Sequence, residues 1–214
     1  MSAVRGRFLT VEGIEGVGKS TQVARLSRTL SERGIAHVVT REPGGTPLAE
    51  RIREIVLNSR DEAVPPTAEL LLMFAARAVH LANHVEPTLS AGRWVVCDRF
   101  TDATYAYQGG GRGLDVNRIR QLEIMVQGAR TPDLTVLLDA PVAQALRRAR
   151  QRNAGAAADR FESERADFFA RVRNAYHARA AAEPDRIAVI DAAQSIAAVA
   201  ARIIELLEAR SWIS

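Results

Sequence analysis

The chain has 214 residues, of which 47% are hydrophobic and 25% are charged, and its formal net charge is +4. The composition is ordinary for a folded protein, and the length is typical of one domain that encloses its core without disulfides or a structural metal. The longest purely apolar run is the seven residues Leu70 to Ala76, whereas a membrane-spanning helix needs about twenty, so a transmembrane protein is excluded.

Three further features narrow the class of protein. No long apolar stretch follows the N-terminus, so we expect no signal peptide and a cytoplasmic location. Cys97 is the only cysteine, which excludes an internal disulfide, and no Cys/His cluster indicates a metal site. The modest positive charge suits an anionic ligand but is weak support for nucleic-acid binding.

Hydrophobic periodicity predicts strands that alternate with helices. The first half is predicted to contain a strand at 8–12, a helix with Val23, Leu26 and Leu30 that stops at Gly34, a strand at 38–40, helices at 48–57 and 67–86, and a strand at 94–98. The second half is predicted to contain a helix capped by Asp115 that runs to Gln127, a strand at 134–138, a helix from Pro141, a strand at 187–190, and a last helix with Ile196, Val199, Ile203 and Leu206 on one face.

Short, almost purely apolar strands between helices are typical of a parallel sheet that is covered on both faces, so the predicted fold class is α/β. Ligands of such sheets bind at the carboxyl ends of the strands. The segments 13–20, 41–46 and 98–108 and Asp139 follow predicted strands, and we expect them to converge on one crevice.

One segment, Arg147 to Arg160, departs from this alternation. Its ends are rich in arginine and its middle consists mainly of small residues around Gly155. This pattern favours a mobile flap, and the alternative is an exposed helix end followed by a loop.

The residues Gly13-Ile14-Glu15-Gly16-Val17-Gly18-Lys19-Ser20 match the pattern G-x-x-x-x-G-K-[ST] between a predicted strand and a predicted helix. Glycines let backbone N–H groups close around a phosphate, and the helix N-terminus adds partial positive charge. Lys19, the only lysine of the chain, would reach the β- and γ-phosphates. The Ser20 hydroxyl would hold Mg²⁺, and Thr21 can donate to the α-phosphate. The sequence therefore predicts a nucleoside triphosphate site.

The same lysine excludes one class of nucleotide-binding protein. A GTP-binding switch normally recognises guanine through Asn-Lys-x-Asp, and no such motif is possible when the only lysine lies in the phosphate loop. The chain is also short for a motor ATPase. Its size fits a small nucleotide or metabolite kinase.

Further motifs occur along the chain in a fixed order. They are T-R-E-P-G-G-T from Thr40, M-F-A-A-R from Met73, D-R-F from Asp98, A-Y-Q-G-G-G-R-G from Ala106, P-D-L-T from Pro132 and D-R-F-E from Asp159. With the phosphate loop they closely resemble the thymidylate kinase family over essentially the whole chain. The resemblance implies a P-loop fold of one domain with five parallel strands, ATP and Mg²⁺, dTMP as the acceptor and a homodimer, without nucleic-acid or membrane partners.

The resemblance also assigns roles in the acceptor site. Phe74 and Arg77 are three residues apart and share a helix face, and the family uses them to stack on the base and to donate to a base carbonyl. Without the family, Phe74 fits a core position equally well. The other predicted acceptor residues are Arg99 and Arg53 at the phosphate, Thr104 and Gln108 at the base or sugar, Tyr107 against the sugar where it disfavours a 2′-hydroxyl, and Glu42 and Pro43.

Two carboxylates lie close to the predicted phosphates. The resemblance places Glu15 at the 3′-hydroxyl of the acceptor sugar. Asp98 ends a predicted strand, a natural position for a carboxylate linked to Mg²⁺, and its alternative is a structural pair with an arginine. With Lys19 and Arg99, Asp98 is predicted to be catalytic.

The phosphate loop contains no arginine, so the resemblance to bacterial members implies a catalytic arginine from the flap, or LID, at about 147–162. Arg152 is the first candidate and Arg148 and Arg150 follow, while Arg160 is expected to close the flap. Adenine is expected between Arg148 and the loop at Ala192.

Two other functions stay open. A kinase of another nucleoside monophosphate or small metabolite would share the phosphate loop but not the pairing of Phe74 and Arg77 with Tyr107 and Gln108. A non-catalytic nucleotide or nucleic-acid binder is disfavoured because the flap arginines lack interleaved aromatic residues.

Overall fold

A computed structural model describes residues 6–58, 62–152, 160–161 and 164–213, without the side chain of residue 152. Within these residues the strands are β1 (Phe8–Glu12), β2 (His37–Arg41), β3 (Trp94–Asp98), β4 (Leu134–Asp139) and β5 (Ile187–Asp191). They form one parallel sheet in the order β2-β3-β1-β4-β5. The strand that precedes the phosphate loop is therefore the central one, at the point where the strand order reverses.

Helices connect the strands. They are α1 (Lys19–Glu32), α2 (Pro47–Asn58), α3 (Pro66–His80), α4 (Glu86–Ser90), α5 (Thr101–Thr104), α6 (Val116–Gln127), α7 (Val142–Arg152), α8 (Ala166–Ala182) and α9 (Ile196–Ala209). Two π-helical segments, Leu81–Val85 and Tyr105–Gly111, continue α3 and α5 respectively. No helix of the described residues has the length and apolar character that crossing a bilayer requires.

The core lies on both faces of the sheet, which is why the strands read as continuous apolar runs. Every residue of β1 is buried. Leu9 and Val11 pack in a large cluster with side chains of α1, α8 and α9, whereas Phe8 packs with Val95 and the π-helical segment that follows α3. Alternate residues of a strand point to opposite faces, so a strand between two helical layers needs an apolar residue at nearly every position.

The predicted parallel α/β sheet is confirmed, and β1 and β3 have the predicted limits. The predicted cap of α6 is also confirmed, because the Asp115 carboxylate accepts the Asn117 N–H at 2.9 Å. The long helix predicted at 67–86 is continuous but contains the π-helical turn, and it runs on to Ser90.

Two helical stretches are not among the predicted elements: α8 and the stretch from Thr101 to Gly111. The three consecutive glycines at 109–111 favour a loop, yet here they lie in a π-helical segment against α8. A Cβ atom on Gly110 would lie 2.5 Å from the Cβ of Ala175. The glycines thus allow the two helices to approach each other closely. This requirement comes from tertiary packing and has no local signal in the sequence.

Candidate active site

The phosphate loop joins β1 to α1 at the centre of the sheet edge. Gly13, Gly16 and Gly18 all have positive φ angles, of 133°, 78° and 96°. At Gly16 a side chain would also clash with the carbonyl oxygen of Ala145 in α7. The loop conformation therefore needs glycine for both reasons, as the motif predicts. Of the other loop residues, Ile14 and Val17 are buried in the core.

Lys19 lies inside this loop. Its ammonium group donates to the carbonyl oxygens of Gly13 at 3.0 Å and Ile14 at 2.9 Å. Burial and the neighbouring positive charge of Arg99 lower the pKa of Lys19 to about 8. A bound polyphosphate would act in the opposite direction, because a nearby anion favours the ammonium form.

A carboxylate, a guanidinium and a phenol meet directly above the loop. Arg99 donates to Glu15 at 2.7 Å and to the Tyr107 hydroxyl at 2.9 Å, and that hydroxyl donates to the other oxygen of Glu15 at 2.7 Å. Burial raises the pKa of Tyr107, so its phenol stays neutral and keeps its proton for Glu15. Glu15, Arg99 and Tyr107 are thus held together by hydrogen bonds as one unit. They come from the phosphate loop, the end of β3 and the following helical segment.

The backbone at Arg99 is unusual, since its φ is 72°. A buried carboxylate supports this turn: Glu12 accepts the N–H of the next residue, Phe100, at 2.7 Å and the hydroxyl of Tyr176 at 2.7 Å. Burial, together with the negative charge of Asp102, raises the pKa of Glu12 to about 8. The sequence analysis did not single out Glu12, although its position at the end of an otherwise uncharged buried strand was a signal for it.

Two oxygen groups, one at the start of α1 and one at the end of β3, fit a divalent cation. The Ser20 hydroxyl and an Asp98 carboxylate oxygen lie 3.4 Å apart at the surface of the site. Magnesium prefers oxygen ligands and is usually held by one or two protein groups together with phosphates and water. The described residues contain no group of three or more His, Cys, Asp or Glu side chains that would form a complete metal site. Thr21 is exposed in the same helical turn.

A cavity of about 580 Å³ opens beside Arg99. It brings together nine of the predicted acceptor residues: Glu15, Glu42, Pro43, Arg53, Arg77, Arg99, Thr104, Tyr107 and Gln108. Apolar side chains complete its wall: Leu57, Met73, Phe100, Ala103 and Phe161. A wall that combines apolar side chains with convergent polar groups is typical of small-molecule sites.

Arg77 is the best fixed of the polar groups in this cavity. It is 3% exposed, and it donates to Glu42 at 2.8 Å and to the Thr104 hydroxyl at 2.9 Å. Its Nη1 is buried and has no hydrogen-bond partner. The guanidinium lies between the rings of Phe74 and Phe100, at 4.7 and 5.1 Å from their centroids. A rigid donor with a free NH₂ group is suited to a carbonyl oxygen of a bound ligand.

The structure does not bring Phe74 into the cavity with the other predicted acceptor residues. Its side chain is 2% exposed and packs in a core cluster with Leu70, Tyr105 and Ile119, and the side chain of α3 that lines the cavity is Met73. Met73 and Phe74 precede Arg77 by four and three residues, and both spacings place a side chain beside Arg77 on a helix. The spacing therefore could not distinguish them.

The remaining acceptor residues are also held by neighbours. Arg53 donates to the carbonyl oxygen of Pro43 at 2.9 Å. Gln108 donates through Nε2 to Glu69 at 2.8 Å. Glu69, on α3, is completely buried and was not identified from the sequence; no motif distinguishes it from the surface glutamates of other helices.

The flap segment is only partly described. Residues 147–152, where the predicted flap begins, form the end of α7. Arg148 donates to the carbonyl oxygen of Ala192 at 2.8 Å, so the two residues expected near adenine do meet. The side chain of Arg152 and residues 153–159 and 162–163 lie outside the described residues. Arg160 contacts α3, where it pairs with Glu69 at 2.8 Å.

Comparison with known proteins identifies the family of this chain. A family model described as thymidylate kinase matches residues 11–203. The thymidylate kinase of Chromohalobacter salexigens is 60% identical over 210 residues, which cover 97% of this chain and 98% of that protein. That of Alkalilimnicola ehrlichii is 52% identical over 212 residues, covering 98% and 97%. The crystal structure of the Ehrlichia chaffeensis thymidylate kinase matches 95% of this chain and 99% of its own, with a TM-score of 0.76 and 33% identity. The chain belongs to the thymidylate kinase family.

Proposed function

We propose that this protein transfers the γ-phosphoryl group of ATP to the phosphate of dTMP, giving dTDP and ADP. The observation that carries the proposal is the shared position of Arg99, which lines the cavity and is hydrogen-bonded to Glu15 of the phosphate loop. A nucleotide in the loop and a second nucleotide in the cavity would thus meet at this arginine.

On the donor side, the loop glycines and Lys19 hold the triphosphate, with Ser20 and Thr21 at the start of α1. Adenine packs against the surface that Arg148 and the loop at Ala192 form together through their 2.8 Å hydrogen bond. Ser20 and Asp98 hold Mg²⁺, which supplies positive charge to the phosphate oxygens when it is bound.

On the acceptor side, the cavity offers different chemistry at each end. Arg99 and Arg53 bind the phosphate of dTMP, and Glu15 and Tyr107 contact the sugar. The free Nη1 of Arg77 donates to a carbonyl oxygen of thymine, against the apolar side chain of Met73. The remaining polar residues of the cavity fix these groups or complete the base site: Glu42, Pro43, Thr104 and Gln108.

The chemical difficulty is electrostatic. The dTMP phosphate is mostly a dianion at neutral pH, because its second pKa is about 6, so no strong general base is needed. Two unit charges about 4 Å apart repel by roughly 4 kcal/mol at an effective dielectric of 20. Lys19, Arg99 and a flap arginine, Arg152, neutralise this repulsion and the charge on the transferred group. Closure of the flap excludes water, which would otherwise hydrolyse ATP.

We further propose that the protein is a single-domain, cytoplasmic homodimer. Apolar side chains are exposed on the helices α2, α3 and α6. These helices are neighbours, because α3 packs against both α2 and α6. The exposed side chains include Leu48 of α2 at 49% exposure, Leu71 of α3 at 52%, and Ile124 and Met125 of α6 at 60% and 72%. A second copy of the chain would cover them.

A coupled assay of ADP release tests the catalytic proposal. We expect release from magnesium-ATP to be slow alone and to increase many-fold when dTMP is added. CMP and GMP should give no comparable increase. An equal rate with and without dTMP would contradict the proposed reaction, whereas a larger increase with another monophosphate would support the other kinase function.

A further inference from the structure

Glu69 is a completely buried carboxylate beside the cavity. It accepts from Gln108 Nε2 at 2.8 Å, from Arg112 Nε at 3.3 Å and from Arg160 at 2.8 Å. Ion pairs with two guanidinium groups compensate for the burial of such a carboxylate. The hydrogen bond from the neutral Gln108 side chain adds nothing to this charge balance, so it needs a separate explanation.

The contact determines which way the Gln108 amide faces. An ionised carboxylate can only accept hydrogen bonds, so the NH₂ group of Gln108 must face Glu69. The amide oxygen then lies on the other side, and no group of the described residues donates a hydrogen bond to it. Because Gln108 also lines the cavity, its oxygen is available there as an acceptor.

Arg77 supplies the complementary group. Its unpartnered Nη1 is a donor, and it lines the same cavity as Gln108. Thr104, which accepts from Arg77, lies four residues before Gln108 on one continuous helical stretch. The cavity therefore presents one fixed donor and one fixed acceptor to a flat ligand.

We propose that Glu69 is a positioning residue that selects the pyrimidine base through Gln108. The proposal rests on the proposed function. Thymine offers a carbonyl oxygen at C4 and an N–H at position 3, which match a donor from Arg77 and an acceptor from Gln108. Cytosine has an amino group and an unprotonated ring nitrogen at the same places, so both contacts are mismatched. A buried polar site rejects a ligand that leaves its groups unpaired.

The substitution Glu69→Gln tests this. A glutamine at 69 can present either an oxygen or an NH₂ group, so it no longer imposes one orientation on the Gln108 amide. We expect the ratio of kcat/KM for dTMP to that for dCMP to fall roughly tenfold or more, mainly through a lower KM for dCMP. The ratio of dTMP to dUMP should stay unchanged, because both bases carry the N–H.

The matched control is Arg112→Gln. It removes one ion pair of Glu69 and the pair of Arg112 with Glu164, but it leaves the contact between Glu69 and Gln108. We expect this variant to keep the wild-type dTMP to dCMP ratio. If Glu69→Gln does not fold because a positive charge is left in excess, the double variant Glu69→Gln/Arg112→Gln keeps the net charge and should show the reduced ratio.

A structural role for Glu69 would lower kcat/KM for dTMP, dUMP and dCMP by the same factor. Unchanged ratios in folded Glu69→Gln, or in the double variant, would therefore overturn the proposal. Equal loss of discrimination in Arg112→Gln would also overturn it. Failure of the proposed function is a separate result, since the wild-type protein would then not be stimulated by dTMP at all.

Discussion

Among the single residues of the site, Lys19 combines burial with a role that needs its charge. Its pKa is lowered to about 8 in the ligand-free protein, whereas the proposed contact with ATP needs the ammonium form. As the pH rises through this value, more of the free protein carries a neutral amine. We predict that ATP affinity falls above about pH 8 and that binding there takes up a proton. Titration calorimetry in two buffers of different ionisation enthalpy measures both effects.

The variant Lys19→Arg is the control for this prediction. Arginine stays charged at every accessible pH, so any ATP affinity that this variant retains should not change between pH 7 and pH 9. A parallel decrease in both proteins would assign the pH dependence to another group.

Glu12 gives a prediction of stability. Its pKa is raised from 4.5 to about 8 in the folded chain, so between these values the folded state binds more protons than the unfolded state. Stability therefore falls as the pH rises from about 4.5 through 8, by an amount on the order of a few kcal/mol. Glu12→Gln resembles the protonated form and should lose this dependence. Urea denaturation of both proteins at pH 5 and pH 9 measures it; equal changes in the free energy of unfolding would contradict the assignment.

The sequence predicted the residues whose role follows from backbone geometry. The loop glycines and Lys19 belong to one contiguous motif, and Arg99 follows a strand end. Met73 and Glu69 could not be identified in this way. Met73 and Phe74 lie about 100° apart around α3, so the choice between them depends on how the helix is turned against its neighbours. Glu69 has a role only because Gln108, Arg112 and Arg160 converge on it.

Among the secondary-structure elements, α7 links the phosphate loop to the flap. Its Ala145 packs against Gly16, and its last residue is Arg152. We predict that Arg152→Ala lowers turnover by roughly 10³-fold or more, the scale of an arginine that acts only on the transition state, and changes the Kd for ATP much less. Single-turnover kinetics together with ATP binding separates the two effects.

Arg147→Ala is the matched control, because Arg147 is an exposed arginine on the same helix. It should keep near-normal turnover. Near-normal turnover in Arg152→Ala instead would show that another flap arginine, such as Arg150, has the catalytic role.

Elements with strong local patterns were predicted well, and those defined by tertiary contacts were not. The strands are apolar over their whole length because both faces of the sheet are covered. The helical stretch Thr101–Gly111 contains residues that favour loops in isolation, and α8 stabilises it from outside. In α8 itself, buried Phe168, Val172, Tyr176 and Ala180 recur every four residues, a helical signal that was present in the sequence.

For the molecule as a whole, the exposed apolar side chains of α2, α3 and α6 predict the assembly. We expect Ile124→Arg to convert a dimer into a monomer, because a charge buried in an apolar interface is not compensated. Sedimentation velocity measures the change. Ile196→Arg is the control: Ile196 is 53% exposed but begins α9, which packs mainly on α1 and β5. A monomeric wild-type protein, or loss of dimer in both variants, would contradict the proposed face.

The position of Lys19 has a practical consequence for labelling the protein. Since the chain has no other lysine, an amine-reactive reagent finds one side-chain target, and that target lies in the donor site. A pKa of about 8 leaves much of this amine nucleophilic in mildly alkaline buffer. Covalent modification of a single atom would then inactivate the enzyme, and protection by ATP would report occupancy of the site directly in a mass spectrum.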